Sequence, residues 1–196
     1  MRHPILTAAE ASKAGFLQFW DSHYTGYDEA FYVQNLGKPL TPERISSWFA
    51  WKNGTPLSPL KAKSILRYSE LAERIASDVD SRTLREFLSR PGGPIWRIFW
   101  LHVQHPSQFP IYDQHVHRAM AYLLGWKDLE LPAQNPKKVV TFYLDNYRAF
   151  FRDFEQFPAR QVDRALWAFG KFLSNYANMV TGRADVGDVQ SSTHGK

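Results

Sequence analysis

Residues 94–104 read Pro-Ile-Trp-Arg-Ile-Phe-Trp-Leu-His-Val-Gln. Ile95, Ile98, Phe99, Leu101 and Val103 leave almost no polar face on a helical wheel. A helix that is apolar most of the way round is normally covered by other helices, so this stretch is expected to be the buried centre of an all-α protein. The same period continues outward in both directions. Leu84, Phe87 and Leu88 mark a short helix over 81–89. Val116, Met120, Leu123 and Leu124 mark another over 113–125, closed by Gly125. Thr41-Pro42, Ser58-Pro59 and Asn135-Pro136 each set a capping side chain before a proline. Proline at the first helical position loses no hydrogen bond, so helices are expected to start at 42, 59 and 136. Further amphipathic stretches cover 7–22, 136–156 and 159–179. Ala30-Phe31-Tyr32-Val33 is the nearest thing to a strand and is too short to define one.

About eight helices are therefore expected in a single domain over 1–180, with room for two lobes around a cleft and a core over 81–125. The polar run 181–196 reads as a flexible tail. Apolar residues make up 44% and aromatics 15% of the 196 residues, enough for a large core. The formal charge of +5 suits a polyanion partner without requiring one. The absence of cysteine excludes disulfides and cysteine-held zinc or iron–sulfur clusters. No apolar run approaches the roughly 18 residues of a membrane span, and Met1–Leu6 do not resemble a signal peptide, so a cytoplasmic location is expected.

The polar chemistry concentrates after the central helix. Residues 109–119 read Phe-Pro-Ile-Tyr-Asp-Gln-His-Val-His-Arg-Ala. Asp113 sits at a helix start, where the macrodipole favours an anion. On these residues alone it is either a cap or a displayed catalytic carboxylate. His102/His105 and His115/His117 do not have the i, i+4 spacing of a helical metal pair, and no metal or other cofactor is expected. Trp51 and Lys52, in Trp48-Phe49-Ala50-Trp51-Lys52-Asn53-Gly54, either line a base pocket or pack above a helix C-cap. Lys61, Lys63 and Arg67 offer a basic helix face. Asp163-Arg164 reads as a short-range ion pair.

Residues 91–118 resemble the core of the helix-hairpin-helix DNA glycosylases. In that superfamily a Leu-Pro-Gly-Val-Gly-like hairpin is followed by a Phe-Pro-Ile/Val-x-Asp-x-x-Val-x-Arg-like element. Here the hairpin region reads Leu88-Ser-Arg90-Pro-Gly92-Gly93-Pro94, and the element reads Phe109-Pro110-Ile111-Tyr112-Asp113-Gln114-His115-Val116-His117-Arg118. Positions 94 and 113 are 19 residues apart (113 − 94), the spacing expected between the family's hairpin lysine and its aspartate. The resemblance implies that Asp113 acts on the sugar of a flipped nucleotide. It implies DNA contacts from Arg90, Gly92, Gly93, Arg97, Gln114, His117 and Arg118, and a base pocket with Trp51, Lys52 and Tyr112. Pro94 stands at the lysine position, so lyase chemistry through that position is unavailable and hydrolysis by Asp113 alone is expected. Arg90-Pro91 replaces the Gly-Val of the hairpin, which leaves open a relative that binds nucleic acid or a protein without catalysis.

Overall fold

The computed structural model describes residues 11–25, 27–54, 58–59, 75, 79–90 and 93–181, with side chains to 176. The expected helix from 59, its Lys61, Lys63 and Arg67, Gly92 and the tail from 182 lie outside the described residues. The protein is all-α. Among the described residues there are eight helices and no strand: α1 (Lys13–Ser22), α2 (Glu29–Asn35), α3 (Pro42–Asn53), α4 (Ser81–Ser89), α5 (Pro94–Gln104), α6 (Gln114–Leu123), α7 (136–152) and α8 (Ala159–Thr181).

Side-chain caps fix most of the helix starts. Ser12, Asp28, Thr41, Asp80, Asp113 and Asn135 each accept a hydrogen bond from an amide in the first turn. Such a cap contributes about 1 kcal/mol and fixes the direction in which the chain enters the helix. The strand-like Ala30–Val33 is helical in α2, because Asp28 caps Phe31 N and Tyr32 alone is buried. The helix of 136–152 is interrupted at Phe142–Tyr147 by a π-helical segment. Tyr143 and Tyr147 are buried there, and the Tyr143 hydroxyl donates to Pro110 O at 3.3 Å.

The centre is α5, with Ile98, Phe99, Trp100 and Leu101 fully buried. An aromatic web joins it to α2 and α3. Trp48 meets Phe31, Tyr32 and Phe99 edge-on, Phe49 stacks on Trp96 at 4.8 Å, and Trp51 stacks on Phe99 at 6.1 Å. Buried rings of this size supply much of the apolar stabilisation of a fold.

The long helix α8 packs on α1 and α6. Gly170 makes the α6 contact possible: a Cβ there would lie 1.8 Å from the His115 carbonyl oxygen. Arg164 fixes α1 through Asp21, with Nε donating to Oδ1 at 2.6 Å, and Arg160 fixes α2 through Glu29. The expected pairing of Asp163 with Arg164 is therefore corrected. Adjacent helical residues point apart, so Arg164 reaches α1 while Asp163 turns into the core beside Arg160.

Candidate functional site

Asp113 stands at the junction of an extended segment and α6. Its φ of −153° and ψ of −174° are those of an extended N-cap. Oδ1 accepts from His115 N at 2.9 Å and Val116 N at 3.1 Å. Oδ2 accepts from Lys52 Nζ at 2.9 Å. The side chains of Lys52 and Asp113 retain 9% and 13% exposure, so the pair is mostly withdrawn from water but not sealed. Burial pushes the Asp113 carboxyl up. The Lys52 ammonium, His115 and the α6 amides outweigh it and hold the group below the ordinary carboxylate range. Asp113 is an anion at neutral pH.

Lys52 comes from the last turn of α3 and lies 5.8 Å from the centre of the Phe99 ring. Trp51, its neighbour, is half-buried, donates from Nε1 to Asp28 O at 2.8 Å and packs in the aromatic web. Tyr27 is half-buried, and both Lys52 and Asp113 act electrostatically on its hydroxyl. Its ring lies 5.0 Å from Trp51 and 5.4 Å from Trp167. Asp163 forms the deeper part of this polar group. It is buried, with Oδ2 4.0 Å from Arg160 Nη1 and Oδ1 without a hydrogen-bond partner among the described residues. Burial raises its carboxyl to about 7 against the opposing charges of Arg160 and Lys52. Sequence reading did not identify Tyr27, Arg160 or Asp163 as neighbours of Asp113. For Arg160 and Asp163 the only local signal was a charged residue within an otherwise apolar-striped helix; Tyr27, in the bend before α2, carried none.

The remaining expected site residues are distributed differently. Arg97 is buried and donates to Arg90 O, and its guanidinium lies 6.0 Å from the Phe87 ring. It ties α5 to the C-terminal end of α4 from inside. Arg90 is exposed at the C-terminus of α4. Gly93 caps α5 at φ +87°, a left-handed value that favours glycine. Gln114 is exposed beside Asp113.

Arg118 faces Glu130 and α8. It is buried, donates three hydrogen bonds to Glu130, two at 3.0 Å and one at 2.9 Å, and reaches Gly170 O at 3.3 Å. Tyr112 is fully buried, and its hydroxyl shares a 2.7 Å hydrogen bond with His117 Nδ1. His117 lines a cavity of about 270 Å³ with Trp126, Asp128, Lys138 and Phe142. Burial lowers its pKa to about 4, so its ring is neutral there.

Among the described residues, no three His, Asp or Glu side chains converge on a metal-sized space. Both His102 nitrogens are engaged: Nδ1–H donates to Phe109 O at 2.9 Å, and Nε2 accepts from the Tyr32 hydroxyl at 2.7 Å. Among the described residues, no helix is long and apolar enough to cross a membrane. No family model matches the chain, and no curated protein or solved structure shows significant similarity to it.

Proposed function

We propose that the protein is a DNA glycosylase-like hydrolase that cleaves the N-glycosidic bond of a flipped base. The observation that carries this reading is Asp113: an ionised, amide-held and partly accessible carboxylate next to a single ammonium. As the C1′–N bond lengthens, positive charge grows on the sugar ring. A fixed anion in a poorly hydrated setting stabilises that charge without having to reorganise. The two α6 amides hold the carboxylate in place and favour its charged form. A water molecule then supplies the oxygen to C1′, with Asp113 in position to orient it. The Phe109–Arg118 resemblance supports the same assignment, and the net charge of +5 suits a DNA partner.

Pro94 and the inward-facing Arg97 favour a second reading, a relative that binds nucleic acid or a protein without cutting. Incubating the protein with duplexes carrying single damaged bases separates the two. Free base and an abasic strand are expected. Salt-sensitive binding with no product from any duplex would replace the hydrolase with the binding protein. No binding at low salt would favour the protein-interaction form of that reading.

A further inference from the structure

The second member of the central pair gives the site a chemical preference. When a neutral base leaves a nucleoside, the bonding electrons go with it. The transition state then resembles an ion pair, with a sugar cation and a base anion. When the base is already a cation, as in N-alkylated purines, it departs neutral and no anion forms. The site contains an ion pair of its own: the Asp113 carboxylate from α6 and the Lys52 ammonium from α3, joined at 2.9 Å.

Lys52 has little freedom. Its side chain is 9% exposed and Nζ lies 5.8 Å from the Phe99 ring centre, so the positive charge is held beside the carboxylate. Asp113 needs no second cation to remain in place, because His115 N and Val116 N hold Oδ1. One ammonium donor can therefore turn from Oδ2 to a departing base while the carboxylate keeps its seat. Arg160, a further cation of the polar group, is committed to Glu29 and Tyr24.

We infer that Lys52 is a second catalytic residue, which receives the negative charge of the leaving base and makes the site selective for neutral damaged bases over cationic alkylated ones. The step balances. The C1′–N bond breaks and its electron pair stays on the base nitrogen. That nitrogen takes a proton from Lys52 Nζ. Water forms the new C1′–O bond, and its released proton passes by way of Asp113 to Lys52, restoring the ammonium. The products are the free base with one added hydrogen and an abasic sugar with one added hydroxyl. The same ammonium repels a base that arrives positively charged.

This inference rests on the glycosylase-like reading and is tested separately from it. Single-turnover base release is measured on duplexes containing uracil, hypoxanthine or 8-oxoguanine as neutral bases, and 7-methylguanine or N3-methyladenine as cationic ones. Wild type, Lys52→Arg and Lys52→Met are compared, and circular dichroism confirms that each is folded. Wild type is expected to release at least one neutral base and to act on cationic bases far more slowly. Lys52→Met is expected to lose roughly 100-fold or more on the neutral substrate, the range seen when one charge-stabilising donor is removed. The loss on the cationic substrates should be much smaller, because no anion forms on a base that departs neutral. Lys52→Arg keeps the charge and should retain part of the neutral-base activity. Equal losses on both substrate classes, no loss on either, or a wild-type preference for cationic bases would overturn the role of Lys52 while leaving base release intact. Absence of release from every duplex would instead remove the hydrolase reading on which it depends.

Discussion

The Cα of Gly170 in α8 lies so close to the backbone of His115 in α6 that a methyl group there would sit 1.8 Å from the carbonyl oxygen. His115 is two residues from Asp113 and donates its amide to that carboxylate. This close approach of α8 to α6 thus sets the first turn that carries the candidate site. Gly170→Ala forces α8 away from α6 or distorts that turn. The backbone has no flexible side chain to yield, so the cost is expected at about 3 kcal/mol or more. For a chain of this size that corresponds to roughly a 10 °C fall in Tm by thermal unfolding. A variant with wild-type Tm would mean that the two helices are not seated on each other in this way.

Lys52→Met tests the electrostatics of the pair directly. In wild type, opposing charges outweigh burial and hold Asp113 below the ordinary carboxylate range. Without the ammonium, burial is opposed mainly by the α6 amides and His115. The Asp113 carboxyl, followed by carbon NMR, is expected to titrate at higher pH in Lys52→Met than in wild type. An unchanged titration would show that Lys52 does not set the charge state. The depressed folded pKa of Asp113 also makes it a stabilising group above its unfolded pKa. That contribution is lost as pH falls through the folded value.

Asp163 has the opposite sign. Burial raises its folded pKa to about 7, while Arg160, Lys52, Asp113 and Glu29 act on it from α8, α3, the start of α6 and α2. A carboxylic acid with a raised folded pKa binds its proton more tightly when folded. It therefore destabilises the fold progressively from about pH 4 to about pH 7. Asp163→Asn removes that dependence. His102 and His117 also titrate in the acid range, with folded values lowered by burial to about 3 and about 4, and they contribute equally to both proteins. The difference between variant and wild-type stability isolates Asp163. The variant is expected to gain on wild type as pH rises from 4 to 8 in paired denaturant titrations. A pH-independent difference would place the pKa of Asp163 near its ordinary value.

The helices were legible in the sequence where local signals fix them. The caps Thr41 and Asn135, with the prolines after them, marked the starts of α3 and α7, and the apolar stripes of α4 and α5 gave their limits. Asp28 caps α2, a signal the sequence reading did not use, and the short aromatic run after it gave only an indecisive strand-like pattern for a seven-residue helix. The π segment at Phe142–Tyr147 left no local signature, because it answers to the packing of Tyr143 and Tyr147 on their neighbours. The central pair was half legible. Asp113 declared itself by its helix-start position and Lys52 by its aromatic neighbours, but the contact spans 61 residues. Periodicity carries no information at that range. For the same reason Arg118 was read without its partner Glu130, 12 residues on. The Asp163–Arg160 approach is different: it lies at i, i+3 within α8 and was within reach of helical spacing.

Asp113→Asn asks whether the Asp113 charge drives bond cleavage in the proposed hydrolase. The substitution keeps the shape of the side chain, and its amide oxygen can still accept from His115 N and Val116 N, so the cap is retained. Single-turnover release of the best substrate base is the measurement, with DNA affinity followed in parallel. A fall of roughly 100-fold or more in release is expected, with duplex binding maintained. Release at the wild-type rate from a folded, DNA-binding Asp113→Asn protein would contradict it.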